Sequence, residues 1–135
     1  MRLQVLFPFC ALILILEGFL YSTALAEKEP AKEIPCILIL NSYHKGYQWA
    51  DQLSDGITDQ LHEDLGYDLE LHYEYLDAKR YSDGPTGSYA LQMKDLFAFR
   101  YSKHLPHIII LSDYDAFQFI LLYQPVLFPR VPVVF

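Results

Sequence analysis

Cysteine is almost missing from this chain of 135 residues, which has two, Cys10 and Cys36. Cys10 lies in a stretch that reads as an export segment, so only Cys36 remains once that stretch is removed. A single thiol forms no internal disulfide, and Cys36, at the head of an apolar run, reads as a small buried hydrophobe. Basic residues are scarce too: 10 Lys and Arg against 17 Asp and Glu give a formal net charge of −7. That excludes a general nucleic-acid binder, which needs a basic face. There is no G-x-G-x-x-G and no Walker-type loop, so nucleotide phosphates have no cradle. There is no G-x-S-x-G elbow either. Ser42, His44 and Asp113 include the residue types of a hydrolytic triad, but Ser42 and His44 are two residues apart on one loop, a poor geometry for attack. The five histidines, His44, His62, His72, His104 and His107, are scattered, and no two share metal-ligand spacing on one element. The expectation is therefore no enzyme activity, no cofactor and no metal. Internal repeats, low-complexity tracts and runs of one charge sign are also missing.

What is present divides into two parts. Arg2, the apolar stretch "LQVLFPFCALILILEGFL" and the small residues Ala24 and Ala26 have the layout of a secretory signal peptide cleaved after Ala26. A retained membrane anchor is the alternative, weakened by Pro8 and Glu17 inside the stretch. Residues 27–35, "EKEPAKEIP", are polar with two prolines and read as a leader.

From residue 36 onward, apolar strands alternate with amphipathic helices. Cys36–Leu40 ("CILIL") and His107–Leu111 ("HIIIL") are continuous apolar runs, the pattern of strands buried on both faces. Asp68–Leu76 alternates, with Leu69, Leu71, Tyr73 and Tyr75 opposite Asp68, Glu70, His72 and Glu74, which predicts an edge strand with one wet face. Trp49, Leu53, Ile57, Leu61 and Leu65 recur at i+4 and predict a helix that buries this stripe, Trp49 included, and stops at Gly66. "KRYSDGPTGS" reads as a loop. Tyr89, Met93, Leu96, Phe97 and Arg100 mark a second helix. A third follows, capped by Ser112 or Asp113 and broken at Pro125, and "VPVVF" begins a fourth strand.

The order βαβαβαβ predicts an α/β fold with a doubly wound parallel sheet in the flavodoxin-like order 2-1-3-4. In such sheets ligands bind beyond the carboxyl ends of the strands, where the strand order reverses. Here that point is flanked by "NSYHKGYQW" after the first strand, an unusual crowd of amide, hydroxyl, phenol, imidazole, ammonium and indole. Asn41 and Ser42 are candidates to hydrogen-bond a solute or to satisfy the turn itself. Tyr43 and Tyr47 are candidates for a stacking wall. His44, Asp77, Arg80 (with Lys79 between the last two), Ser112 and Asp113 complete the candidate ligand-binding set.

"LILNSYHKGYQW", "EYLDAKR" and "IIILSDYDAF…LFPRVPVVF" together resemble the ABC-transporter substrate-binding-protein-like family, of the type I periplasmic-binding fold. The resemblance covers about Pro35 to Phe135. It implies an extracytoplasmic small-solute-binding module. That module would be the receptor of an ABC importer, partnered by its permease, or the sensor half of a membrane signalling protein, linked to a histidine kinase or diguanylate cyclase. The family's domain has two lobes with the ligand between them. Residues 36–135 correspond to an incomplete N-terminal lobe, so a truncated, non-binding fragment is the alternative expectation. Contact with a membrane is expected only through residues 1–26, and only if that segment is not cleaved.

Overall fold

Five of the six residues of "CILILN" are hydrocarbon or thiol, and the strand they form, β1 (Cys36–Asn41), is buried along its whole length. The structure, a computed structural model, describes residues 33–135. The predicted export segment and most of the predicted leader lie outside the described residues. β1 pairs in parallel with β2 (Glu70–Tyr75) on one side and with β3 (Ile108–Ser112) on the other, and β3 carries the two-residue β4 (Val133–Val134). The sheet is all-parallel with the expected order β2-β1-β3-β4. Four helices complete the described residues: α1 (Gln48–Leu65), α2 (Ala78–Tyr81), α3 (Ser88–Arg100) and α4 (Asp113–Leu127). The topology is α/β and consistent with a flavodoxin-like fold. α2 falls where the sequence reads as loop. Among the described residues no helix is long and apolar enough to cross a membrane.

Side chains alternate across a strand, so β1 serves two faces. Leu38 and Leu40, with Ile109 and Leu111 of β3, join the main core against Phe97 and Tyr101 at the end of α3 and Ala116, Phe119 and Ile120 of α4. Ile37, Ile39 and Asn41 point the other way, where the Ser54 hydroxyl of α1 donates to Asn41 Oδ1 (3.1 Å).

The expected stripe of α1 is only partly buried, and Trp49 is a correction: it is 59% exposed, and so is Leu65. The reason is geometric. At 3.6 residues per turn each i+4 step rotates by about 40° past a full turn. A stripe of five such positions winds around the helix, so Leu53, Ile57 and Leu61 reach the sheet side while both ends turn to solvent. The buried positions of α1 are the small Ala50 and Ser54.

Pro125 does not end α4, which continues to Leu127. Without an N–H, Pro125 cannot bond back to residue 121. The turn closes instead through the Phe128 N–H to the Gln124 carbonyl (2.8 Å), and Gln124 Nε2 donates to the Val131 carbonyl (2.7 Å).

α3 is capped from a distance. The Asp83 carboxylate accepts the Ser88 N–H (2.7 Å), the Ser88 hydroxyl (2.9 Å) and the Tyr89 N–H (3.3 Å). Gly87 permits this approach, since a Cβ there would fall 2.0 Å from Asp83 Oδ1. The Ser88 hydroxyl, with the Tyr89 and Ser88 N–H groups and against a smaller opposing effect of desolvation, holds the Asp83 carboxyl below its usual 3.8. A depressed folded-state pKa gives stability that is present above the unfolded value and lost as pH falls through the folded one. Asp83→Asn should therefore lower the thermal midpoint near neutral pH, and the gap to the parent should close on acidification below 3.8. A gap that stays constant across that range would mean the carboxylate charge contributes nothing to the cap.

Candidate functional site at the carboxyl rim of the sheet

β1, β2 and β3 end together, because register pairs Asn41 with both Tyr75 and Ser112. The chain leaves all three strands at one rim. Beneath it, Asn41, Ser42 and Ser112 are buried. Ser42 joins three elements. Its N–H and its hydroxyl both donate to the Ser112 carbonyl (3.1 and 2.7 Å). Its Oγ accepts the Ala116 N–H of α4 (2.8 Å), and its carbonyl accepts the Ala78 N–H of α2 (2.8 Å). The cap of α4 is thus Ser42, in the bend that follows β1. Ser112 stands at the N-cap position without a side-chain hydrogen bond to the helix, and from the helix backbone Asp113 Oδ1 accepts the adjacent Tyr114 N–H (2.7 Å), which is no capping bond. That corrects the expected capping by Ser112 or Asp113. Asn41 Nδ2 and Ser112 Oγ are buried without a protein partner. These three residues support the rim and are not presented to solvent.

The rim itself is aromatic and charged. The Tyr43 and Tyr47 rings meet edge to face, 5.0 Å apart. The Lys79 ammonium lies 4.4 Å from the centre of the Tyr43 ring and 3.9 Å from that of Tyr47, and it donates to the Tyr47 hydroxyl. Such placement over two ring faces is favourable for a cation. The loop between the tyrosines is tied down by Asp51, whose carboxylate accepts the Gly46 N–H (3.0 Å), with Gly46 in the left-handed region (φ 91°). Burial, and then the Asp113 carboxylate hydrogen-bonded to it, pushes the Tyr43 phenol above its usual range. It remains a donor at physiological pH. The hydrogen bond with Tyr47 is the main influence raising the Lys79 ammonium, so Lys79 stays charged.

A second cluster adjoins the first. His44 Nδ1 lies 3.3 Å from Asp77 Oδ1, and Asp77 Oδ2 is 3.4 Å from Arg80 Nη1. Asp77 and Asp113 both adopt left-handed backbone (φ 50° and 74°) where the chain leaves β2 and β3. Asp tolerates that region better than most residues. Each turn aims a carboxylate at the rim.

Of the predicted set, Tyr43, His44, Tyr47, Asp77, Arg80 and Asp113 therefore converge, around Lys79. Sequence reasoning missed a neighbouring cleft of about 170 Å³, lined by Leu76, Ala78, Tyr89, Met93, Tyr114 and Phe119 with Asp115 at its wall. Its residues come from the exit of β2 (Leu76), α2, α3 and α4, so no single stretch signals it. It is smaller than the roughly 300–1,000 Å³ of most ligand pockets. A more open trough of about 470 Å³ lies between α1 and β2, lined by Lys45, Asp51, Ser54, Asp55, Tyr73 and Tyr75.

Comparison with protein-family models, with curated proteins and with solved structures gives no match to this chain.

Proposed function

We propose that the chain is an extracytoplasmic small-solute-binding module of the periplasmic-binding type, acting as an importer's receptor or as the sensor half of a membrane signalling protein. The observation that carries this reading is the Lys79 ammonium held over Tyr43 and Tyr47 at the point of strand-order reversal. Two phenol rings inclined at 70° to one another offer a stacking surface for a planar solute. Lys79 and Arg80 offer donors to an anionic group, and Asp113 an acceptor for a cationic one. In the two-lobed architecture that the family resemblance implies, this rim is the floor of the cleft. A solute that binds the closed form more tightly than the open one would shift the population toward closure, which a membrane partner reads.

The test is calorimetric titration of the chain with amino acids, nucleobases and small aromatic acids. Tyr43→Ala and Lys79→Ala should each weaken the binding solute by at least about 1 kcal/mol, a fivefold or greater loss, and more where a charged group loses its partner. Asp113→Ala should weaken binding only for a cationic solute. Unchanged affinity in all three variants would move the site away from the rim.

A further inference from the structure

At the end of the sheet opposite the rim, Cys36 is the first residue of β1 and Glu70 the first of β2, and the two are register partners. Register-paired residues of parallel strands project to the same face, and His72, two residues along, projects there too. The Cys36 sulfur, a Glu70 carboxylate oxygen and a His72 ring nitrogen all lie within 4.8 Å of one another. We infer that Cys36, Glu70 and His72 form a zinc-binding site that joins the edge strand β2 to β1.

Thiolate, imidazole and carboxylate together are a borderline-soft donor set, which suits zinc and not magnesium or calcium. Zinc bonds of about 2.0–2.3 Å in tetrahedral geometry put ligand atoms roughly 3.3–3.8 Å apart. The present spacing is close to that. His72 Nε2 and Glu70 Oε1, at 2.7 Å, have to part slightly, and the sulfur, within 4.8 Å of both, has to close in by at most roughly 1.3 Å. The side chains have the freedom for this: Glu70 is exposed and His72 half-buried, both on an edge strand, while Cys36 is fixed in the interior. The exposed side of Glu70 gives the ion an entry path. Three protein ligands leave the fourth position to water. Glu74, next on the same face, does not join, since its carboxylate is taken by Arg100 and by the Tyr101 hydroxyl. The single-element spacing rule overlooked this set because the cysteine sits on the neighbouring strand. The site is independent of solute binding at the rim.

The test uses the full chain with zinc by calorimetry and cobalt(II) as an optical probe. One zinc per chain is expected, and cobalt should give a thiolate-to-metal charge-transfer band in the near ultraviolet. Cys36→Ser should abolish the band. Loss of a metal's supporting partners alone costs about 10–100-fold in affinity, so Cys36→Ser and His72→Ala should each weaken zinc by at least about 100-fold. Cys10→Ser and His104→Ala should change neither readout. Because Cys36 is buried, His72→Ala and Glu70→Gln, on the edge strand, carry the test if Cys36→Ser misfolds by circular dichroism. Failure of the parent chain to take up zinc, a band that survives Cys36→Ser, or zinc affinity unchanged in His72→Ala and Glu70→Gln would overturn the assignment and leave Glu70 and His72 as a surface ion pair.

Discussion

Phe97→Ala is expected to cost about 3–5 kcal/mol of unfolding free energy, whereas Phe99→Ala, two residues on, stays within about 0.5 kcal/mol. Both residues lie on α3, yet Phe97 is 0% exposed and Phe99 80% exposed. Phe97 sits in the main core with its ring edge to face against Phe119 of α4 (5.6 Å between centres) and Tyr101 (6.3 Å). Truncation removes the transfer free energy of the ring, both aromatic contacts, and the packing of α3 on α4, and it leaves a void that the rigid sheet beneath cannot fill. Domains of this size have about 5–15 kcal/mol in total, so the variant should lose a large part of its stability. Denaturant titration of the parent and both variants measures this directly. Equal costs for Phe97 and Phe99 would contradict the arrangement of α3 on the sheet.

The second large effect is expected at the rim. Ser42→Ala should destabilise by about 2–3 kcal/mol, combining loss of a helix cap with a buried N–H left unpaired. The substitution removes the hydroxyl that donates to the Ser112 carbonyl and that accepts the Ala116 N–H at the start of α4. The Ser112 carbonyl keeps the Ser42 N–H, but the Ala116 N–H has no water to turn to, because it is buried. Ser112→Ala is the internal control. Its hydroxyl is equally buried but has no partner, so its removal should cost less than about 0.5 kcal/mol or even stabilise. If the two variants melt alike, hydrogen bonding by Ser42 is not what holds α4 to β1.

The sheet was legible because its signals are local. "CILIL" and "HIIIL" are apolar on both faces, so they have to be central, and alternation in "DLELHYEYL" sends that strand to an edge. The strand order alone points to the carboxyl rim as the candidate site. What escaped the sequence depends on registration between distant segments. The i+4 stripe of α1 named Trp49 as core, since counting positions ignores the rotation that accumulates along the helix. Sequence proximity points to Ser112 or Asp113 as the cap of α4, whereas the cap is Ser42, 74 residues earlier than Ala116. Lys79 reads as one charged loop residue among three. Only the fold lays it across the rings of Tyr43 and Tyr47. His72 and Glu70 looked like the solvated face of a strand until pairing brought Cys36 beside them.

The exposure of Trp49 has an optical consequence. It is the one tryptophan in the chain, it lies in the first turn of α1, and it is two residues beyond Tyr47 of the rim. Its indole is already largely hydrated in the folded state, so its emission is poorly placed to follow disruption of the main core. It is well placed to follow whatever covers the rim, because burying a hydrated indole shifts its emission to the blue. Fluorescence of the native chain is thus an intrinsic gauge of rim occupancy. Loss of the fold is better followed through backbone ellipticity, and with separate signals the two events can be read in one sample.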